Sequence, residues 1–274
     1  MPTFTGKTFS SYYKRILQFN QSTNDGVGAA SAKIQDGDGG DTAIRLSDDQ
    51  LVVLPNSDNT TSTFSVANVD GNNILAVDTT NEKVLVGRSQ IAANTQYAHF
   101  GTGYVEASTS GFLADTHYAI PFMMGNYGTV AANYAMGSST SSSFNDTNPA
   151  TSLTISTTAM SIVRCYWYVM DDITIDAVKW FHGADAGTGD STAAHLMAYT
   201  VHIANGSTGG DLSSGVVVAD GATITNAGYE QIYYQSMTIQ SADVDAGKVI
   251  LFTFASDTVN SDYSLNCTVK YHIR

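Results

Sequence analysis

The clearest pattern in the chain is an alternation with a period of two at its C-terminal end. Tyr263, Leu265, Cys267, Val269, Tyr271 and Ile273 fall on one side, and Ser264, Asn266, Thr268, Lys270, His272 and Arg274 on the other. Such alternation predicts an antiparallel strand with one buried and one wet face. Val163 to Val169 alternate in the same way. After Asp171-Asp172, read as a hairpin turn, Ile173, Ile175 and Ala177 alternate with Thr174 and Asp176 and lead into Trp180-Phe181. Further apolar runs lie near 193–203, 215–219, 231–240 and 248–255, separated by the turn-forming clusters GADAGTGDST, NGSTGGDLSSG, ADGATITNAG and SADVDAGK. About eight strands at that spacing predict a two-sheet antiparallel β-sandwich, jelly-roll-like. It is expected to occupy residues 126–274.

A different pattern fills residues 63–87, TFSVANVDGNNILAVDTTNEKVLVG. Phe64, Val66, Ala67 and Val69 precede Asp70-Gly71, which supplies the positive φ of a tight hairpin turn. Ile74, Leu75 and Val77 form a second run, Asp78-Thr79-Thr80-Asn81 a second turn, and Val84, Leu85 and Val86 a third run stopped by Gly87. Apolar residues are expected on both faces of this short sheet. One layer of about 25 residues cannot bury two such faces unaided, so it needs either another part of the chain or another copy.

The remaining segments set the organisation. Residues 4–20, FTGKTFSSYYKRILQFN, offer the anchors Phe9, Tyr12, Tyr13, Ile16, Leu17 and Phe19 beside Lys7, Lys14 and Arg15. Residues 24–49 are rich in Asp and Gly, and the strand LSDDQLVVLP that follows stops at Pro55. Residues 88–120 lack clean periodicity and read as a connector in which a domain boundary falls. The expected order is therefore an N-terminal region at 1–55, a β-rich unit at 56–90, a connector at 91–125 and the sandwich at 126–274.

Composition agrees with an all-β chain. Glu occurs only at 82, 106 and 230, while Gly, Ser, Thr, Asn and Asp are plentiful, so long helices are not expected. The formal net charge of −13 is uneven: seven Lys+Arg face ten Asp+Glu in residues 1–90, and five face fifteen in 91–274. Phosphate binding needs clustered cations, which excludes nucleic acid as a partner of the acidic part. Met1 to Ser11 lacks a secretory apolar run, and no stretch approaches the roughly 18 apolar residues of a membrane span. The expectation is a protein made in the cytoplasm with no membrane insertion. Cys165 and Cys267 sit on apolar-facing strand positions and read as buried free thiols.

Candidate chemistry is sparse. His99, His117, His182, His195, His202 and His272 make no helical i, i+4 pair of the kind zinc uses, and His195 and His202 read as ordinary polar positions on opposite faces of one strand. Asp171, Asp172 and Asp176 form the tightest carboxylate group outside the DGDGGD run at 36–41, and both groups read as turns. The DGDGGD run lacks the sixth-position Gly and twelfth-position Glu of an EF-hand loop, so no metal is assigned to it. No nucleophile elbow, P-loop or dinucleotide fingerprint is present, so no catalytic residue, cofactor or enzymatic activity is expected. Tyr229, Tyr233 and Tyr234, with Tyr118, Tyr127 and Tyr134, could stack on sugar rings, with the loops at 183–192 and 205–214 as the expected place.

The segments NDGVGAASAKIQDGDGGDTAIRLSDDQLVVLP, STFSVANVDGNNILAVDTTNEKVLVG, ITIDAVKWFHGADAGTGDSTAAHLMAYTV and GYEQIYYQSMTIQSADVDAGKVILFTFASDTVNSDYSLNCTVKYHIR resemble virion structural proteins of tailed, especially marine, bacteriophages, of the tail-fibre type. The resemblance implies a homotrimeric appendage. Phe9, Tyr12, Tyr13, Ile16, Leu17 and Phe19 then lie in a virion-attachment region, and Phe64, Val66, Ile74, Leu75, Val77, Val84 and Val86 in a trimeric neck. The sandwich becomes a head that meets the host surface, with Tyr229, Tyr233 and Tyr234 as candidate glycan contacts. Its implied partners are further copies of the chain, other tail or capsid proteins and a host-surface glycan. The alternatives are a capsid decoration protein or head fibre and, more distantly, a glycan-degrading tailspike. Against the last stand the short chain and the absence of a long β-helix repeat.

Overall fold

The computed structural model describes residues 17–20, 27–87, 89, 91–105, 114–123, 162–185, 189–202, 211–228, 230–258 and 261–274. Among these the chain is all-β, and its one helical element is a 3₁₀ turn at Val163–Cys165. By internal contacts the chain divides into residues 1–94 and 95–274.

The first unit holds two four-stranded antiparallel meanders. One is β1 (Gln18–Phe19), β2 (Ala32–Gln35), β3 (Asp41–Leu46) and β4 (Leu51–Val53). Its Asp-Gly run is a turn: Asp36 Oδ1 accepts hydrogen bonds from the backbone N–H groups of Asp38 (2.9 Å) and Gly40 (2.7 Å), and Gly39 takes φ +87°. The other meander is β5 (Phe64–Ala67), β6 (Asn73–Asp78), β7 (Lys83–Val86) and β8 (Ile91–Ala92). At its first turn Asn68 Oδ1 accepts from the N–H groups of Asp70 (3.2 Å) and Asn72 (2.9 Å), with Gly71 at φ +82°. At its second, Asp78 Oδ1 accepts from Thr80 N and Asn81 N, while its Oδ2 accepts from Asn81 Nδ2 at 2.7 Å. These bonds, led by the one from the Asn81 side chain, hold the Asp78 carboxyl below its ordinary pKa.

The second unit is built from β9 (Thr95–Val105), β10 (Tyr118–Ile120), β11 (Trp167–Tyr168), β12 (Ile173–Ala184), β13 (Ser191–His202), β14 (Asp211–Asp220), β15 (Ile224–Thr225), β16 (Gln231–Ser236), β17 (Thr238–Ile239), β18 (Asp243–Val244), β19 (Lys248–Ser256) and β20 (Tyr263–Ile273). One sheet runs β16-β12-β20-β9 and the other β10-β19-β13-β14, with the short strands at their margins. The chain passes between the sheets in the order β9, β10, β12, then the β13–β14 hairpin, then β16, β19, β20, which is the wrapping of a jelly roll. The facing sheets bury Phe100, Tyr118, Ile120, Trp180, Phe252, Phe254, Tyr263 and Leu265 between them. A second apolar cluster, with Met197, Tyr199 and Leu251, lies on the other face of the β13–β19 sheet under Ile162 and Cys165.

Five expectations change. Residues 91–125 are not only a connector, because β9 pairs with β20 over most of its length and β10 pairs with β19. Ala98, Gly101 and Gly103 in β9 hide its alternation. Asp171-Asp172 is not a hairpin turn, because β11 belongs to one sheet and β12 to the other. Alternation over 163–169 is interrupted by the 3₁₀ turn, and the run at 231–240 switches sheets at Met237. Finally, a register shift between Ile175 and Ala177 reverses the parity of β12, so Val178, Trp180 and His182 face the core and Phe181 faces out.

Candidate functional site

Cross-strand pairing settles which residues of the 64–92 sheet share a face. Phe64 lies opposite Val77, Val66 opposite Leu75, Leu75 opposite Val86, Val77 opposite Val84, and Val86 opposite Ile91. Directly opposed residues point to the same side. One face is therefore wholly apolar, and Phe64, Val66, Val84, Val86 and Ile91 on it are 41–47% exposed. Six of the seven expected neck residues are brought together there. Ile74 is not among them: it alternates to the opposite face with the buried Ala76 and Asp78. The expectation of apolar residues on both faces holds, with one difference: Ile74, Ala76, Leu85 and Ala92 share the other side with Ser65, Asp78 and Lys83, so that face is mixed.

The first meander repeats this design. Ala32 and Leu51 flank Leu46, and Val53 lies opposite Ile44, while Ile44 and Leu51 are well exposed. Of the expected attachment residues, Phe19 pairs with Ile34 in the β1–β2 ladder, and Leu17, just before it, is exposed. Phe9, Tyr12, Tyr13 and Ile16 lie outside the described residues.

On the second unit, the tandem tyrosines separate by strand parity. Tyr233 turns inward, its ring stacked on His182 at 4.9 Å and its hydroxyl accepting from Ala227 N at 2.7 Å. It is not placed to meet a glycan. Tyr234 turns outward and packs against Phe181 with ring centroids 4.9 Å apart. Lys179 Nζ donates to the Tyr234 hydroxyl at 2.9 Å, which is the main reason that phenol is held below its ordinary pKa. Tyr229 lies outside the described residues. One row along the same face, Gly183 sits between Ile232 and Ser264. There a shallow groove of about 250 Å³ is lined by Gly183, Asp185, Glu230, Gln231, Ile232 and Asp262, among others. Sequence reading missed Phe181 and this groove because the parity reversal in β12 leaves no mark in the hydrophobic pattern.

Among the described residues four histidines are buried, His117, His182, His195 and His272. His182 lies between the rings of Trp180 and Tyr233, with Nε2 3.0 Å from Asn226 Oδ1, and burial pushes its pKa down to about 4. His195 and His117 approach with ring centroids 4.7 Å apart, His117 Nδ1 lying 2.9 Å from Thr253 Oγ1 and His195 Nδ1 2.9 Å from Asp220 Oδ1. Burial lowers both, His195 to about 4, although the Asp220 carboxylate favours the charged form. His195 is therefore not an ordinary polar position. Asp220 itself is raised by partial burial. These groups are packed inside the sandwich or against its sheet and open onto no described cavity. Asp176, at the register shift, faces His272 Nδ1 at 3.0 and 3.1 Å.

No protein-family model and no curated protein sequence matches the chain.

Proposed function

We propose that the protein is a structural subunit of a bacteriophage virion, a tail fibre or tail-associated fibre built from three copies of the chain. In this reading the N-terminal region attaches to the particle, the 64–92 sheets of three copies pack together as the neck, and the jelly roll is the head that meets the host surface. The observation that carries the proposal is the all-apolar face bearing Phe64, Val66, Val84, Val86 and Ile91. These five side chains expose roughly 400 Å² per chain, and three copies would remove roughly 1,200 Å², the scale of a specific interface. Closing three such sheets on one another also protects strand edges that a lone short sheet leaves open. The jelly roll is a fold used by viral shells and by sugar-binding proteins alike, which fits the reading without deciding it. The reading assigns no catalytic role to any residue.

Light scattering of the full chain at micromolar concentration is expected to give three times the 29.0 kDa chain mass. Val84→Lys combined with Val86→Lys is expected to reduce it to the monomer mass with the head still folded. A monomer from the unaltered chain overturns the neck. Antibody against residues 160–274 on purified particles is expected to label the tail. Label on the capsid faces would move the appendage to the shell.

A further inference from the structure

The outer face of the β16-β12-β20-β9 sheet carries an unusual row order. Lys179, Phe181 and Gly183 follow one another on β12, with Ser236, Tyr234 and Ile232 beside them on β16 and Thr268, Asn266 and Ser264 on β20. The aromatic pair Phe181–Tyr234 therefore leads directly to a row whose central residue has no side chain. A Cβ on Gly183 would come within 2.7 Å of Ser264 Oγ, so the glycine keeps this row low. Ile232, 80% exposed, forms one wall of the resulting groove.

The polar lining is of one sign. Asp185, Glu230 and Asp262 all border the groove, and no cation among the described residues does. Asp185 is positioned by its own fold: its Oδ1 accepts from Asp262 N at 2.9 Å. The nearest lysine on the same strand face, Lys179, lies one row beyond Phe181, donates to the Tyr234 hydroxyl and holds its Nζ 5.5 Å from the Tyr234 ring centroid, at the end of the aromatic pair away from the groove. A ligand that fits must bring an apolar ring face for Tyr234, Phe181 and Ile232, and hydrogen-bond donors or positive charge for the carboxylates. Anionic sugars are repelled by three carboxylates and by a chain of net charge −13.

We infer that this groove is a binding site for an amino sugar, a hexose unit whose protonated amine sits among Asp185, Glu230 and Asp262 while its ring packs on the Tyr234–Phe181–Ile232 surface. The inference rests on the reading that the head meets a surface, and it does not depend on the trimer. A groove of about 250 Å³ accepts one hexose unit, with the rest of a chain lying over the open sheet.

Isothermal titration of the full chain with a short glucosamine oligomer tests it, alongside the N-acetylated oligomer of the same length, an oligouronate and pentalysine. The expected result is saturable binding of the amino oligomer that weakens with salt, at least about tenfold weaker binding of the N-acetylated oligomer, and none of the uronate. Asp185→Asn keeps the acceptor for Asp262 N, and Tyr234→Ala removes an exposed ring, so both variants should remain folded. Each should weaken amino-oligomer binding about tenfold. Equal binding of the two oligomers, indifference to both variants, or no binding at all overturns the site. Pentalysine binding that is as tight and equally dependent on Asp185 overturns the sugar assignment in favour of a basic peptide. Chain mass by light scattering, measured on the same samples, reports the fibre reading separately.

Discussion

Lowering the pH from 7.5 to 5 should destabilise the head through its buried histidines. The sign follows from where each proton binds more readily. An unfolded histidine has a pKa of about 6.5, whereas His182 and His195 in the folded head are pushed down to about 4. The unfolded chain therefore takes up protons first as pH falls, so the stability these groups contribute is complete above about pH 6.5 and is lost on the way down to about pH 4. At pH 5 each costs about 2 kcal/mol relative to pH 7.5. His117 adds a loss of the same sign. His182 is the cleaner reporter, because Asp220 at 2.9 Å offsets part of the cost of protonating His195. Both tryptophans, Trp167 and Trp180, belong to the head, and Trp180 stacks on His182 at 4.9 Å. Urea unfolding followed by tryptophan fluorescence thus reads the right unit. The unaltered chain should lose several kcal/mol between the two pH values, and His182→Gln should lose about 2 kcal/mol less. An unchanged pH dependence in that variant, or a head more stable at pH 5, would refute the reasoning. The lowered carboxyls of Asp41 and Asp78 do not confuse the measurement, since they lie in the other unit and their stability is lost only at more acidic pH.

Gly183→Ala should cost about 1 kcal/mol, because its Cβ meets Ser264 Oγ at 2.7 Å. In a double-mutant cycle by urea unfolding, Ser264→Ala should recover most of that cost, and strict additivity would contradict the close approach. Cys165 and Cys267 should resist a thiol reagent at neutral pH until the head unfolds, because burial raises both thiols, Cys165 to about 12. Fast labelling of the native chain would show that one of them opens locally. Thermal unfolding should be biphasic: a first transition, dependent on chain concentration, belongs to the assembled 64–92 sheets, and a second, independent of it, belongs to the head. A single concentration-independent transition would argue against association through the neck.

Much of the fold was legible because strand periodicity is read directly from the chain. In β20 the inward set Tyr263, Leu265, Cys267 and Val269 is buried as its alternation requires. The turns were legible for an equally local reason, since Asp36, Asn68 and Asp78 each bind backbone N–H groups two to four residues ahead. What failed was parity across irregularities. One extra residue at Asp176 turns Trp180 inward and Phe181 outward, and no local signal announces it. The same inversion decides that Tyr234 and not Tyr233 is exposed, because both inherit their side from their β12 partners, Phe181 and His182. The groove combines β12, β16, β20 and their flanking loops, so its carboxylates at 185, 230 and 262 are adjacent only through register. Burial of His195 was equally hidden: it depends on Thr253 of β19, Asp220 of β14 and His117, just before β10, coming together around it.

The two units answer one physical problem in opposite ways. In the jelly roll each sheet covers the other, so Trp180, Phe252 and Phe254 are removed from water by residues of the same chain and a core exists without any partner. The 64–92 meander has only one layer, and register makes one of its faces wholly apolar while the other mixes Ala76, Leu85 and Ala92 with Ser65, Asp78 and Lys83. Had Val84 or Val86 been replaced by polar residues, the sheet would still close its turns through Asn68, Gly71 and Asp78, since those bonds do not involve the apolar face. The valines are therefore not needed to shape the meander. In the proposed fibre, a sheet whose turns are built locally while its apolar face is left open is suited to meeting identical faces on other copies.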